Sequence, residues 1–221
     1  GDHATINKTD NWRHAVQAYL ASITFVDGQV GRLIKFLDES QYTENTIVVL
    51  WGDHGWHLGE KKHWRKFSLW EEATRAPLIM IAPGVTKPNS RCDRTVDFMN
   101  IYPTLSSLCD LPRPDHVEGF DMTALLKNPN ADWSHPAITT HGRKNHAVRT
   151  EQYRYIQYAD GSQELYDHNN DPNEWMNLAA KPAMQPIISR LQSHLKTLKN
   201  VPDGPYVKNL KKSKPKKTPG T

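Results

Sequence analysis

A carboxylate followed by an imidazole, Asp53-His54, closes the apolar run Thr46-Ile47-Val48-Val49-Leu50-Trp51, with only Gly52 between them. A run this rich in β-branched and aliphatic residues suits a strand buried on both faces of a parallel sheet. Ligands of open α/β sheets collect where strands end at their carboxyl edge. Asp53 and His54 stand there and can offer an oxygen and a nitrogen to a cation. Just downstream, Lys61, Lys62, His63, Arg65 and Lys66 gather the positive charge that an anion needs. A metal-and-anion site is the chemistry these residue types imply. The plainer alternatives are a turn with a surface histidine and a solvated cationic face, and residue types alone leave both open. His57 and His63 share the loop and could each contact a substrate, because imidazole titrates near neutrality and serves as acid, base or ligand.

The order of residues reaches further than the types. Gly52-Asp53-His54-Gly55-Trp56, Leu58-Gly59-Glu60, Trp64, Lys66, Pro77-Leu78-Ile79 and Pro83-Gly84 closely resemble the metal-and-lysine segment of the sulfatase family. Within the family the stretch is most similar to the branch that includes iduronate-2-sulfatase, where a histidine stands at the position of His54 and many other sulfatases carry asparagine. The resemblance implies that Asp53 and His54 are calcium ligands and that Lys66 binds the sulfate group. His57 and His63 match none of the family's functional positions and stay candidates for substrate contact.

The same resemblance implies a formylglycine nucleophile made from cysteine in a C-x-P-S-R context. Cys92 lies in Cys92-Asp93-Arg94-Thr95 and Cys109 in Cys109-Asp110-Leu111-Pro112-Arg113, so neither fits. The nucleophile and an Asp-Asp pair completing the calcium site are therefore expected in an N-terminal sulfatase segment that these residues lack, which would leave the chain inactive alone. The expected substrate is a sulfated small molecule or glycan, and the expected location periplasmic, secreted or lysosomal. Two rival readings remain: a phosphate or phosphonate ester hydrolase of the alkaline-phosphatase-like group, and a truncated, non-catalytic binding protein that keeps half a site.

These residues must be held by elements, and the periodicity supplies them. Asn11 to Ser40 reads as a helix whose Val26, Val30, Leu33 and Leu37 form one core-facing stripe, extended by Tyr19 and Ile23. Pro77-Leu78-Ile79-Met80-Ile81-Ala82 restores a buried strand after the polar loop. Phe98 to Leu108 reads as a short helix capped by Asn100, with Pro103 in its first turn. Four short strand-like runs follow: Ala137–Thr140, Ala147–Thr150, Tyr153–Tyr158 and Glu164–Asp167, with Asp160-Gly161 as a hairpin turn. Asn170-Asp171-Pro172-Asn173-Glu174 reads as a turn locked by side-chain hydrogen bonds, in preference to a second calcium site. Pro186 to Lys199 is an amphipathic helix with Ile188, Leu191, Leu195 and Leu198 inward.

The expected fold is α/β: an alkaline-phosphatase-like sulfatase sheet portion with a small C-terminal antiparallel sheet plus helix. Residues 1–131 would form the C-terminal part of the α/β catalytic domain, 132–203 a small α+β subdomain and 204–221 a disordered basic tail. The net charge of +4 falls largely on that tail, which holds six lysines and no acid, so residues 1–203 carry −2. The body is thus no basic nucleic-acid binder, and no zinc-finger or RNA-binding motif is present. No run of apolar residues is long enough to span a membrane. The two cysteines leave one disulfide or two free thiols open.

Overall fold

A computed structural model describes residues 1–196. The expected basic tail, 204–221, and Leu198 at the end of the last predicted helix lie outside the described residues. A short helix α1 (Asp2–Lys8) leads into α2 (Trp12–Asp38), the long helix that the 3.6-residue period predicts. Its stripe is not core in this chain. No residue of α2 is buried, and Ile23, Val26 and Leu33 are each at least half exposed, while Tyr19, Val30 and Leu37 are partly covered.

The expectation of a doubly buried parallel strand also needs correction. Strand β1 (Val48–Trp51) pairs with β4 (Leu78–Ile81) in an antiparallel two-stranded ladder, from Val48 opposite Ile81 to Trp51 opposite Leu78. Trp51, Ile79 and Ile81 remain exposed. Two strands joined by one long excursion can return side by side with opposite sense. With only each other as strand neighbours among the described residues, they leave apolar side chains uncovered.

Between them, β2 (His57–Leu58) and β3 (Trp64–Arg65) form a two-residue antiparallel ladder, and α3 (Glu71–Thr74) follows. Helix α4 (Ile101–Leu108) is entered through a 3-10 turn at Phe98–Asn100. There Asp97 makes the capping bond, its carboxylate accepting from the Met99 amide. Asn100 was expected to cap but makes no such bond. Its side chain instead accepts from the Phe120 amide at 2.8 Å, tying α4 to the segment before α5 (Thr123–Lys127).

The four C-terminal strands form one antiparallel meander: β5 (Ala137–Thr140), β6 (His146–Arg149), β7 (Tyr153–Gln157) and β8 (Gln163–Asp167). Asp160-Gly161 makes the β7–β8 turn, Gly161 taking φ +88°. Alternation sends Val148, Tyr155 and Leu165 to one face, where Ile188 and Leu191 of α6 (Gln185–Leu195) cover them. Ala147, Ile156 and Tyr166 face the other way, onto Leu69 and Trp70 of the loop between β3 and α3. The sheet therefore has a helix on one side and, on the other, the chain that carries the cationic cluster.

Candidate metal and anion site

Asp53 and His54 follow β1 directly, on a turn whose shape is set by Gly55. A Cβ there would lie 1.9 Å from the Glu72 carbonyl oxygen and 2.4 Å from that of Arg75. Only glycine lets α3 approach this closely, and the Gly55 amide donates to the Ala73 carbonyl at 2.9 Å. His54 Nδ1 lies 2.7 Å from the Gly55 carbonyl oxygen, which can only accept, so Nδ1 carries the proton. The lone pair of Nε2 is then free, and it lies 3.5 Å from Asp53 Oδ1, a carboxylate that is 82% exposed. An imidazole whose other nitrogen is fixed by a hydrogen bond to a carbonyl is the usual posture of a metal-binding histidine. The pair therefore fits one edge of a cation site. Calcium takes six to eight oxygen-rich ligands, so the rest of the shell must come from other groups.

Lys66 faces the same cleft. This depression of about 990 Å³ runs between the β1–β4 ladder, α3 and the β5–β6 turn, and Asp53, His54, Lys66, Phe67, Arg75 and His141 line it. The Phe67 and His141 rings lie 5.8 Å apart at its rim. The Lys66 ammonium stands 5.8 Å from the Phe67 ring and makes no hydrogen bond or ion pair among the described residues. A divalent cation on one wall and a free ammonium nearby could hold a small, strongly charged oxyanion.

His57 and His63 go elsewhere. His57 is fully buried, its Nε2 2.9 Å from Ser68 Oγ, and its ring packs 4.8 Å from that of His63 and 5.9 Å from Trp70. Neither histidine lines the cleft. Burial, with a smaller contribution from His63, lowers His57 from its ordinary value to about 4, so it is neutral near pH 7. Burial lowers His63 as well. Both are candidates for substrate contact from sequence, but the loop folds inward where they stand, and an edge-to-face cluster with Trp70 takes them.

The wall of the cleft carries a charged network that sequence reasoning missed, Glu71, Arg149 and Arg154 lining it. Arg154, on β7, is 2% exposed and Glu174 not at all. Arg154 Nε donates to Glu174 Oε1 at 2.5 Å, another of its nitrogens pairs with Glu71, and Arg149 Nε donates to Glu71 at 3.0 Å. His168 Nε2 donates to Glu174 Oε1 at 2.9 Å. Burial alone would raise both carboxyls. For Glu71, Arg154 and then Arg149 outweigh burial and bring it to about 2. For Glu174 the His168 hydrogen bond and the Arg154 charge lower it. Oxygens of Glu71 and Glu174 and a nitrogen of His168 lie within 4.8 Å of one another, but the two guanidiniums already satisfy this group and leave a cation little to gain. One signal was available: Arg154 shares strand parity with Ile156, so the pattern places a charge on an inward face, where it requires a partner.

Comparisons with known proteins bear on the fold and the family. A 45%-identical relative, a sulfatase of Formosa agariphila, aligns over 184 residues, 83% of this chain and 36% of its own. An ulvan-active sulfatase of the same organism is 31% identical over 195 residues, covering 83% of this chain and 38% of its own. The chain thus spans little more than a third of the length of these relatives. Among solved structures, a 2-O GAG sulfatase superposes with a TM-score of 0.77 at 27% identity, over 85% of this chain and 43% of that one. A phosphonate monoester hydrolase of Agrobacterium radiobacter superposes at 0.71 with 21% identity, over 80% of this chain and 39% of that one, which shows the shared α/β fold alone. The sulfatase family profile matches residues 2–111, the span that holds Asp53, His54 and Lys66. By that match and those relatives, residues 2–111 of this chain are similar to the sulfatase family.

Proposed function

We propose that this chain supplies the calcium-ligand edge and the sulfate-binding lysine of a sulfatase acting on a sulfated carbohydrate. The observation that carries the reading is a single juxtaposition. Asp53 Oδ1 and the free Nε2 of His54 stand 3.5 Å apart in the cleft that Lys66 also lines. A calcium ion held there would draw negative charge from the sulfate oxygens. Asp53 supplies a carboxylate, and His54 a lone pair aimed by the Gly55 carbonyl. Lys66 holds a further sulfate oxygen and favours the charge that builds up as the ester bond breaks. The sulfated-carbohydrate substrate is supported by the ulvan-active and 2-O GAG sulfatases among the similar proteins. The 2-O specificity of the latter and the histidine at position 54 favour the iduronate-2-sulfatase-like branch. The formylglycine and the remaining calcium ligands belong to a sulfatase segment beyond these residues, and the chain alone is inactive.

The test is a calcium-dependent assay of the complete enzyme on 2-O-sulfated disaccharides. Lys66→Ala should lower turnover at least a hundredfold, the scale of losing one preorganised charge-stabilising group. Asp53→Asn should weaken calcium binding measured by calorimetry. An unchanged rate for Lys66→Ala would remove it from the site, and faster cleavage of phosphate than of sulfate esters would make the enzyme a phosphohydrolase.

A further inference from the structure

We infer that Glu174, in the turn after β8, is the positioning residue for Lys66. The inference rests on the reading of Lys66 as the sulfate-binding group, and deepens it. Because the Lys66 ammonium has no hydrogen-bond or ion-pair partner among the described residues and only the neighbouring Phe67 ring at 5.8 Å, the backbone of its loop decides where it stands. That backbone is unfavourable by itself. Lys61, Lys62 and Arg65 take φ of +53°, +58° and +70°. A left-handed conformation is unfavourable for any residue that carries a Cβ. Such geometry persists only where the surroundings impose it.

Glu174 imposes it from both sides. Its backbone carbonyl accepts from Lys61 Nζ, ahead of Lys66. Its Oε2 accepts from the Glu71 amide at 3.0 Å, behind Lys66. Its Oε1 holds Arg154, which donates in turn to the Leu69 carbonyl at 3.1 Å and pairs with the Glu71 carboxylate. The Lys61 ammonium is seated between the rings of Trp70 and Tyr166, 4.8 and 4.4 Å from their centroids, and donates to the Tyr166 hydroxyl at 3.2 Å. One buried side chain and its own carbonyl thus grip the loop at residues 61 and 71, with Lys66 midway.

The turn that presents Glu174 is itself fixed. The Glu174 amide donates to the Asp171 carbonyl at 3.1 Å, and the Asp171 carboxylate accepts from the Met176 amide at 2.7 Å. The motif Asp171-Pro172-Asn173-Glu174 is therefore more than a locked turn, because its last residue points inward to the loop.

Two measurements decide the point. In the complete enzyme, Glu174→Gln is expected to lower kcat/KM on a 2-O-sulfated disaccharide about tenfold or more, the scale of a small misplacement of a catalytic group. In a Lys66→Ala background the same substitution should change almost nothing, because its effect runs through Lys66. Equal losses in both backgrounds would overturn the inference. Hydrogen exchange on this chain needs no substrate. Amides of residues 59–70 should open about tenfold faster in Glu174→Gln, while β5–β8 keep their rates. Unchanged loop exchange, or loss of protection across the whole sheet, would also overturn it. Lys61→Met leaves the Arg154 pair intact and should give the same loop signature at smaller amplitude, which guards against a Glu174 variant that fails to fold. If the wild-type enzyme cleaves no sulfate ester, the proposed function fails, and the exchange result still decides what Glu174 holds.

Discussion

Helix α2 and the C-terminal sheet are both amphipathic by sequence, yet the structure treats them in opposite ways. The sheet is covered on both faces, by α6 and by the Leu69–Trp70 segment, and Val148, Tyr155, Ile156 and Leu165 are fully buried. Helix α2 has no fully buried residue, although its apolar stripe is as regular. Periodicity records which face of an element is meant to be covered. It does not record by what, and here the sheet's covers lie within the chain while those of α2 are not among its described residues. The candidate site sits between the two regions: Asp53 and His54 follow the sparsely covered β1, whereas Lys66 hangs from the loop docked on the well-packed sheet.

This contrast can be broken experimentally. The largest effect is expected from Arg154→Met, which leaves the buried carboxylate of Glu174 and its neighbour Glu71 short of a countercharge. Removing one partner of a buried pair costs about 3–5 kcal/mol, and a urea titration would measure it. Leu191→Ala, in the α6 seam, should cost about 2–5 kcal/mol through the cavity it opens. Leu33→Ala, on the exposed stripe of α2, should shift the same transition by less than about 0.5 kcal/mol. Equal losses for the two leucines would mean that the stripe is covered after all.

A pH dependence with two windows is expected as well. His57 is held below its ordinary 6.5, at about 4, chiefly by burial, so the stability due to its neutral form is full above pH 6.5 and fades as pH falls toward 4. Glu71 is held below its ordinary 4.5, at about 2, by Arg154 and Arg149 against the opposing effect of burial. Its contribution is present above pH 4.5 and is lost as pH falls toward 2. The thermal midpoint should therefore decline in both windows, and His57→Gln should flatten the upper one alone.

Much of the secondary structure was legible because it rests on local rules. The long helix, the four C-terminal strands, the Asp160-Gly161 turn and the strand before Asp53 all follow from spacing and turn chemistry, and each is present within two or three residues of its expected bounds. The candidate site was half legible. Asp53, His54 and Lys66 do line one cleft, but His57 and His63 point into the interior, and nothing in the pattern of a polar loop says which of its histidines fold inward.

What the sequence determined by itself is therefore local: the elements, the glycine that lets α3 press against the Asp53-His54 turn, and the order of residues that marks the sulfatase family. Tertiary structure alone decided that β1 meets β4 with opposite sense and that α2 keeps an open stripe. It alone also brought Glu174 to the amide of Glu71, 103 positions away along the chain, to hold the loop that carries Lys66. The physical reason is range. Propensity, alternation and turn chemistry act over a few neighbouring residues, whereas strand pairing, desolvation and buried charge pairing are set by groups that only the folded chain brings together.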